Sequence, residues 1–314
     1  MKLPPAFTIL IPTHDHADTL WYSVQSALCQ SRQDFELFIV GDGVPDRTRE
    51  IAAALTSRDP RIRFFDNPKG ERHGEAYRHI ALQQAAGQYV CYLSDDDLWF
   101  PDHLEQMAKA LEIHDLAHTM QIEVQPDGQL NSWMFDAMLE PDALDRMRRS
   151  ETGFGLASGG HSLAAYSKLP HGWHPAPKAI NSDLYFWLQF FDQPECRYFS
   201  LKWPTMVHFS SVSRKSCSGS QRVAELAEWW PRIQNAKERS RMVMEVLLPI
   251  NAELYGLSRQ PRAPVGQTVT LVQEAALKAQ IEQLQVKVIA LRNSLSWKLT
   301  KPLRRLADFL KAGR

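Results

Sequence analysis

The chain has 314 residues, 44% of them hydrophobic and 23% charged, with 15 Gly and 19 Pro; this is the length of about two ordinary domains or one large α/β domain with appendages, and the composition excludes a collagen-like or low-complexity fibre. Lys+Arg and Asp+Glu number 36 each, yet residues 269–314 hold nine basic groups against three acidic ones, so a body of net −6 precedes a tail of net +6. That asymmetry directs the tail towards an anionic surface. Cys29, Cys91, Cys196 and Cys217 form no CxxC pair and no metal-ligand spacing, as expected of reduced packing thiols in the cytoplasm. The apolar run at 6–11 is too short for a signal-peptide core, and no window approaches the roughly 18 apolar residues of a membrane span. The expectation is a cytoplasmic protein whose membrane contact is peripheral.

The first hundred residues alternate short apolar runs with amphipathic stretches, the pattern of a mostly parallel sheet covered by helices. Phe7 to Ile11 predicts a strand stopped by Pro12, and Asp18 is expected to cap a helix with Leu20, Val24, Ala27 and Leu28 on one face. Phe35–Val40 predicts a second strand, Ile51–Leu55 part of a second helix and Ile62–Phe65 a third strand. A helix is expected over Glu75–Ala86, closed by Gly87, and a fourth strand over Tyr89–Leu93. Further on, Gly153–Gly160 predicts a loop, Asn181–Phe191 a helix, Ser210–Ser220 a Ser-rich connection and 221–257 a helix. The stretch 259–268 has the Pro and Gly content of a linker. Leu277, Ile281, Leu284, Val288, Leu291 and Leu295 then repeat at heptad spacing. That seam is under three heptads and leaves self-association open. The expected division is thus 1–220 with halves at 107/108, a helical extension at 221–258, the linker, a coiled segment at 269–296 and a tail at 297–314.

Chemistry gathers where the predicted strands end, the edge at which open α/β sheets bind ligands. Three adjacent carboxylates, Asp95, Asp96 and Asp97, follow the fourth strand. They repel one another unless a cation neutralises them, and Mg²⁺ or Mn²⁺ prefers such oxygen ligands; a helix cap ahead of Pro101 accounts for the same residues. Gly41-Asp42-Gly43 ends the second strand, where a carboxylate between glycines suits a base or ribose and equally suits a plain turn.

In order, Pro12-Thr13-His14-Asp15, Gly41-Asp42-Gly43-Val44-Pro45-Asp46, Tyr77-Arg78-His79, Ala85-Ala86-Gly87 and Ser94-Asp95-Asp96-Asp97 resemble the nucleotide-sugar-binding half of family 2 glycosyltransferases, which have the GT-A fold. The resemblance covers residues 7 to about 107. It implies a Rossmann-like α/β domain with flanking helices and a C-terminal helical extension. It implies that Thr13 and Asp42 receive the nucleobase, that Arg78 lies beside base and diphosphate, and that Asp95, Asp96 and Asp97 meet ribose and metal, with Asp96 and Asp97 the metal ligands. Gly41, Ser94 and His79 depart from the family pattern at positions usually Asp, Asp and Asn.

Asn181-Ser182-Asp183 resembles the family's Glu-Asp motif at a helix start, with Ser182 in place of Glu. Asp183 is the implied general base, and a helix cap is its alternative role. His208 resembles a late histidine near metal or diphosphate, and a locally satisfied histidine is its alternative. Gly153-Phe-Gly155 falls short of a dinucleotide fingerprint and is expected to shape an acceptor loop near Gly159, Gly160 and His161. Residues 294–304 resemble a tail of bacterial envelope glycosyltransferases. There Leu303, Leu306, Phe309 and Leu310 form an apolar face flanked by Arg304, Arg305 and Lys311, an interfacial-helix pattern.

The resemblance implies an inverting, metal-dependent glycosyltransferase using Mn²⁺ or Mg²⁺. Its partners are expected to be a nucleotide-diphosphate sugar, a UDP-sugar first of all, a saccharide or lipid-linked acceptor, and an anionic membrane surface; no nucleic-acid partner is expected. The competing expectation is a catalytically idle nucleotide-sugar-binding scaffold of an envelope-polysaccharide complex.

Overall fold

A computed structural model of the chain describes residues 4–137 and 142–254. In chain order the elements are β1 (Phe7–Thr13), α1 (Ala17–Leu28), β2 (Phe35–Gly41), α2 (Asp46–Arg58), β3 (Ile62–Phe65), α3 (Glu75–Leu82), β4 (Tyr89–Tyr92), β5 (Leu98–Trp99) and α4 (His103–Leu111). There follow β6 (Leu116–Val124), β7 (Leu130–Asn131), α5 (Ala143–Arg148), β8 (Gly159–Ser162), α6 (Leu163–Tyr166), α7 (Ser182–Phe191), β9 (Tyr198–His208), α8 (Gly219–Gln234) and α9 (Ala236–Leu254). The strands form one mixed sheet in the order β3-β2-β1-β4-β8-β6-β9-β5, with β7 paired to β6. Strands β3, β2, β1 and β4 run parallel, which brings the ends of β1, β2 and β4 to one edge.

The parallel strands are apolar on both faces because both faces are covered. Ile9 and Ile11 of β1 pack with Leu20 and Val24 of α1 and with Leu104 and Met107 of α4. Leu10, between them, joins Phe38, Tyr92, Phe186, Trp187 and Phe190 on the other side. A third cluster joins Leu98, Phe100, Ile122 and Val207 to Leu226, Trp229 and Ile233 of α8 and Met242 of α9, so the helices after residue 218 bury their apolar faces on the strands β5, β6 and β9.

Four expectations are corrected. Asp18 does not cap α1: His16 is the N-cap, and Asp18, in the first turn, accepts from Arg47 at 2.9 Å. The helix from Glu75 stops at Leu82, and turns carry the chain to β4. As far as residue 254, the region expected as one helix is two, parted at Asn235, whose extended backbone ends α8 and whose Oδ1 accepts from the Lys237 N–H at 2.9 Å. The Gly153–Gly160 loop is broken by a short 3₁₀ turn at Leu156–Ser158 and by strand β8. A Cβ at Gly159 would stand 2.5 Å from the Trp187 ring and one at Gly160 2.8 Å from Cys91 Sγ. The strand is built of glycine because its neighbours come that close. His161 lies in β8, fully buried, 2.7 Å from Tyr92 Oη. Among the described residues no helix is long and apolar enough to cross a membrane; the linker, heptad seam and basic tail lie outside the described residues.

Candidate active site

At the end of β1, Thr13 pairs in register with Gly41, and its hydroxyl is buried without a hydrogen-bond partner. Asp42, the next residue of β2's line, is also buried. Its Oδ2 accepts from Lys69 Nζ at 2.5 Å and its Oδ1 from the Gly70 N–H at 2.6 Å. Lys69 carries no motif in the sequence and was not expected here. Gly74 closes the corner. It starts α3 with φ +68°, and a Cβ there would stand 2.6 Å from Asp42 Cγ, so only glycine allows both the left-handed backbone and the close approach. One turn on, Arg78 is buried, with its guanidinium 4.6 Å from the Trp173 ring centroid and one N–H donated to the His73 carbonyl at 3.0 Å. Its Nε finds no partner, and burial draws its pKa down. Thr13 and Arg78 thus keep unused polar atoms at the edge where the resemblance expects base and diphosphate. His79 points away, its Nδ1 2.7 Å from Tyr166 Oη.

The acidic triplet follows β4 and is buried throughout. The antiparallel register of Leu98 with Val207 sets Asp97 beside His208. His208 Nδ1 lies 3.0 Å from Asp97 Oδ1, and the Phe209 N–H donates to the same oxygen at 2.9 Å. Burial opposes charge on both partners, but each answers the other: His208 is pushed up to about 9 and the Asp97 carboxyl is held below its ordinary range. Asp95 Oδ1 lies 3.0 Å from Nδ1 of His16, the N-cap of α1. Asp96 Oδ2 accepts from Ser211 Oγ at 3.0 Å and from Arg222 Nη2 of α8. Burial, with the charges of Asp97 and Asp95 beside it, pushes the Asp96 carboxyl up, against the pull of Arg222 and His16.

His16 is pulled two ways. Its bond to Asp95 raises it to about 9, yet Arg222 Nη1 stands 2.8 Å from its Nε2. A guanidinium only donates, so with Arg222 in place the ring is neutral, with the proton on Nδ1 facing Asp95. One ligand atom each of His16, Asp95 and Asp96 lies within 4.8 Å of the other two. The set of two carboxylates and an imidazole suits Mg²⁺ or Mn²⁺. Of the residues expected at the metal, only Asp96 is in this group, while Asp97 and His208 form their own pair beside it; Asp95, expected towards the ribose, and His16, which was not expected, complete the group.

Across from the triplet, Asp183 sits in the first turn of α7 with Oδ1 accepting its neighbour Leu184 N–H at 2.9 Å; burial pushes its pKa up. It is not the N-cap, which is Asn181. Ser94, Asp97, His208 and Asp183 line one cleft of about 720 Å³ with Gln121, Trp133 and Glu151 on its walls, within the usual range of ligand sites. A separate hollow of about 250 Å³ beside Asp115, Lys168 and Cys196 contains none of these residues.

Residues 8–170 match the model of glycosyl transferase family 2, just over half of the chain. The chain belongs to that family. Over 129 residues the family 2 chain is 34% identical to a chondroitin synthase of Pasteurella multocida strain Pm70, covering 40% of itself and 13% of that protein. It is 33% identical over 104 residues to a putative teichuronic acid biosynthesis glycosyltransferase of Bacillus subtilis strain 168, covering 32% of itself and 40% of that protein. An uncharacterized glycosyltransferase of Rickettsia conorii is 26% identical over 143 residues, 44% of this chain and 23% of the relative. The chain therefore spans less than half the length of these curated relatives. Staphylococcus aureus TarS residues 1–349, solved with UDP-GlcNAc, superposes with a TM-score of 0.54 at 14% identity over 77% of this chain and 71% of that one. The fold is that of the GT-A glycosyltransferases, as the motif order predicted.

Three residues of this family 2 site escaped the sequence reading: His16, Lys69 and Arg222. Each acts on a group far away in the chain. The one local signal was Ser218-x-x-Gln221, a capping box that starts α8 and fixes Arg222 one residue further on.

Proposed function

We propose that the protein is an inverting glycosyltransferase that moves a sugar from a nucleotide-diphosphate sugar to a hydroxyl of a saccharide or lipid-linked acceptor in envelope-polysaccharide synthesis. The observation that carries the reading is that Asp183 lines the same cleft as Ser94, Asp97 and His208, next in chain and in space to Asp95 and Asp96. That arrangement suits an acceptor held on the Asp183 side and a donor held along the ends of β1, β2 and β4. A UDP-sugar is the first candidate donor, supported by the UDP-GlcNAc in TarS.

In this reading Thr13 and Asp42 face the base, and Arg78 the base and diphosphate. Asp183 accepts the proton of the acceptor hydroxyl while that hydroxyl's oxygen bonds to the anomeric carbon and the bond to the leaving diphosphate breaks with inversion. A carboxyl raised by burial is a better base near neutral pH than an exposed one. Mn²⁺ or Mg²⁺ would be held by Asp96 and Asp95 with His16, and when bound supplies positive charge for the leaving diphosphate. Asp97, tied to His208, keeps the triplet's backbone in place. The protein is placed at the cytoplasmic face of the membrane through residues 297–314.

The deciding experiment measures nucleoside diphosphate release from a panel of donors with saccharide acceptors, with and without Mn²⁺, and reads the product anomer by NMR. Release from one donor class with inversion is expected; no release from any donor overturns the reading. A catalytically idle binding protein is favoured by one observation, the Arg222 guanidinium already seated on Asp96, and donor binding by calorimetry without release would support it.

A further inference from the structure

The groups that could hold a divalent ion are already bridged by a cation of the chain itself. Arg222 places Nη2 on Asp96 Oδ2 and Nη1 2.8 Å from His16 Nε2, so one guanidinium touches two of the three groups that can converge on an ion. It also reaches Ser211 Oγ at 3.4 Å, itself bonded to Asp96 Oδ2. Arg222 as a residue is 9% exposed, and its Nε is buried without a partner.

A buried guanidinium is expensive to desolvate unless carboxylates meet it, and here the acidic cluster does so. The N–H groups of Arg222 take up lone pairs on Asp96 Oδ2 and His16 Nε2, and an ion held by the same two side chains through those atoms needs the same lone pairs. The two cations cannot share them. Arg222 is also held to its place: the Ser218 hydroxyl accepts from the Gln221 N–H and the Gln221 side chain accepts from the Ser218 N–H, which fixes the start of α8 immediately before it.

We propose that Arg222 is the resident counter-cation of this cluster and competes with the divalent ion for Asp96 and His16, so that the ion enters only as the guanidinium turns away. Metal affinity is then set by α8, not by the triplet alone. The inference rests on the cluster being the cation site of the function proposed above.

The test is Mn²⁺ binding by electron paramagnetic resonance titration of the full chain without nucleotide. Arg222→Gln is expected to bind Mn²⁺ at least tenfold more tightly than the unaltered protein, and Asp96→Asn to lose binding in either background. Without metal, Arg222→Gln should melt at a lower temperature, because the triplet loses its counter-charge, and Mn²⁺ should raise its midpoint more than that of the unaltered protein. Arg222→Met, which keeps the apolar stem, repeats the titration if the glutamine variant is unfolded. A folded variant whose Mn²⁺ affinity is unchanged or weaker overturns the proposal, as does a lack of Mn²⁺ binding by every protein. Donor turnover by the unaltered chain separates the two readings. Turnover with no gain in Mn²⁺ affinity on removing Arg222 overturns only this inference, and a gain in affinity without turnover on any donor overturns only the glycosyltransferase reading.

Discussion

Ser182, the first residue of α7, donates its hydroxyl to Glu75, the first residue of α3, across 107 positions of sequence. Glu75 is fully buried, and its other oxygen accepts from the His73 N–H at 3.0 Å. The bond ties the helix that carries Asp183 to the helix that carries Arg78. Ser182 stands where the family resemblance expects Glu, and the carboxylate at that place arrives from α3 instead. The charges of Glu75 and Asp183 both act on the buried Arg78 guanidinium, so α3 and α7 are joined electrostatically as well as by the hydrogen bond.

Glu75→Ala should therefore be costly. It strands the His73 N–H and the Ser182 hydroxyl and leaves Arg78 with less negative charge around it, for a loss of about 2 to 3 kcal/mol in urea denaturation, as expected when buried polar groups lose their partner. Glu75→Gln keeps an acceptor oxygen and should cost less. A loss below about 0.5 kcal/mol for the alanine variant, the range of an indifferent surface change, would show that the link does not hold the two helices.

Asp183→Asn should lower turnover by roughly 10² to 10⁴-fold, the usual contribution of a general base, with donor affinity little changed. Asparagine retains the oxygen that accepts from the Leu184 N–H, so the start of α7 should survive. Turnover and calorimetric donor binding are measured on the same preparation. If donor affinity collapses together with turnover, Asp183 has a structural role and another group takes the proton.

Much of the donor half was legible because its determinants are local. Phe7–Ile11, Phe35–Val40 and Tyr89–Leu93 are apolar runs of strand length, and Asp42 and the Asp95–Asp97 triplet follow two of them directly, so the sheet edge could be placed from residue order. What escaped depends on packing between distant segments. Gly159 and Gly160 were read through their usual role in turns, while the close rings of Trp187 and sulfur of Cys91 that require them come from elsewhere in the chain. Arg222 is 206 positions from His16 and 126 from Asp96, and no periodicity links residues so far apart. Asp18 shows the opposite failure: a favoured capping residue two positions past the N-cap His16, drawn to Arg47.

Removing residues 297–314 should release the protein from phosphatidylglycerol liposomes and leave donor turnover intact. Helical spacing would set Leu303, Leu306, Phe309 and Leu310 on one apolar face, and each neighbouring Lys or Arg would add about 1 kcal/mol on a charged leaflet, so binding should be reversible and weaken with salt. Equal co-sedimentation of the truncated and full chains at low and high salt would show that the tail is not a membrane contact.

The protein should lose stability between pH 6.5 and 4 through three core histidines. His103, His118 and His161 are buried, with neutral partners: Thr205 Oγ1 at 2.7 Å, Ser200 Oγ at 2.8 Å and Tyr92 Oη at 2.7 Å. Burial pushes His103 and His161 down to about 3 and His118 to about 4, from an ordinary value of about 6.5. A folded value below the unfolded one means that the contribution to stability is complete above pH 6.5 and is lost as pH falls, because only the unfolded chain takes up the proton. Each such histidine costs about 1.4 kcal/mol per pH unit across that window. Asp96 and Asp183, whose carboxyls are raised, bind protons in the folded state and offset part of the loss. His208, raised to about 9, acts on the other side, its contribution lost as pH rises from 6.5 through 9. Urea denaturation from pH 7 to 5 should thus show net proton uptake on unfolding at pH 5.5. His161→Gln, which cannot titrate, should reduce that uptake by about one proton. A stability profile that is flat over this range, or an uptake unaltered in the variant, would mean that the core histidines carry protons in the folded state.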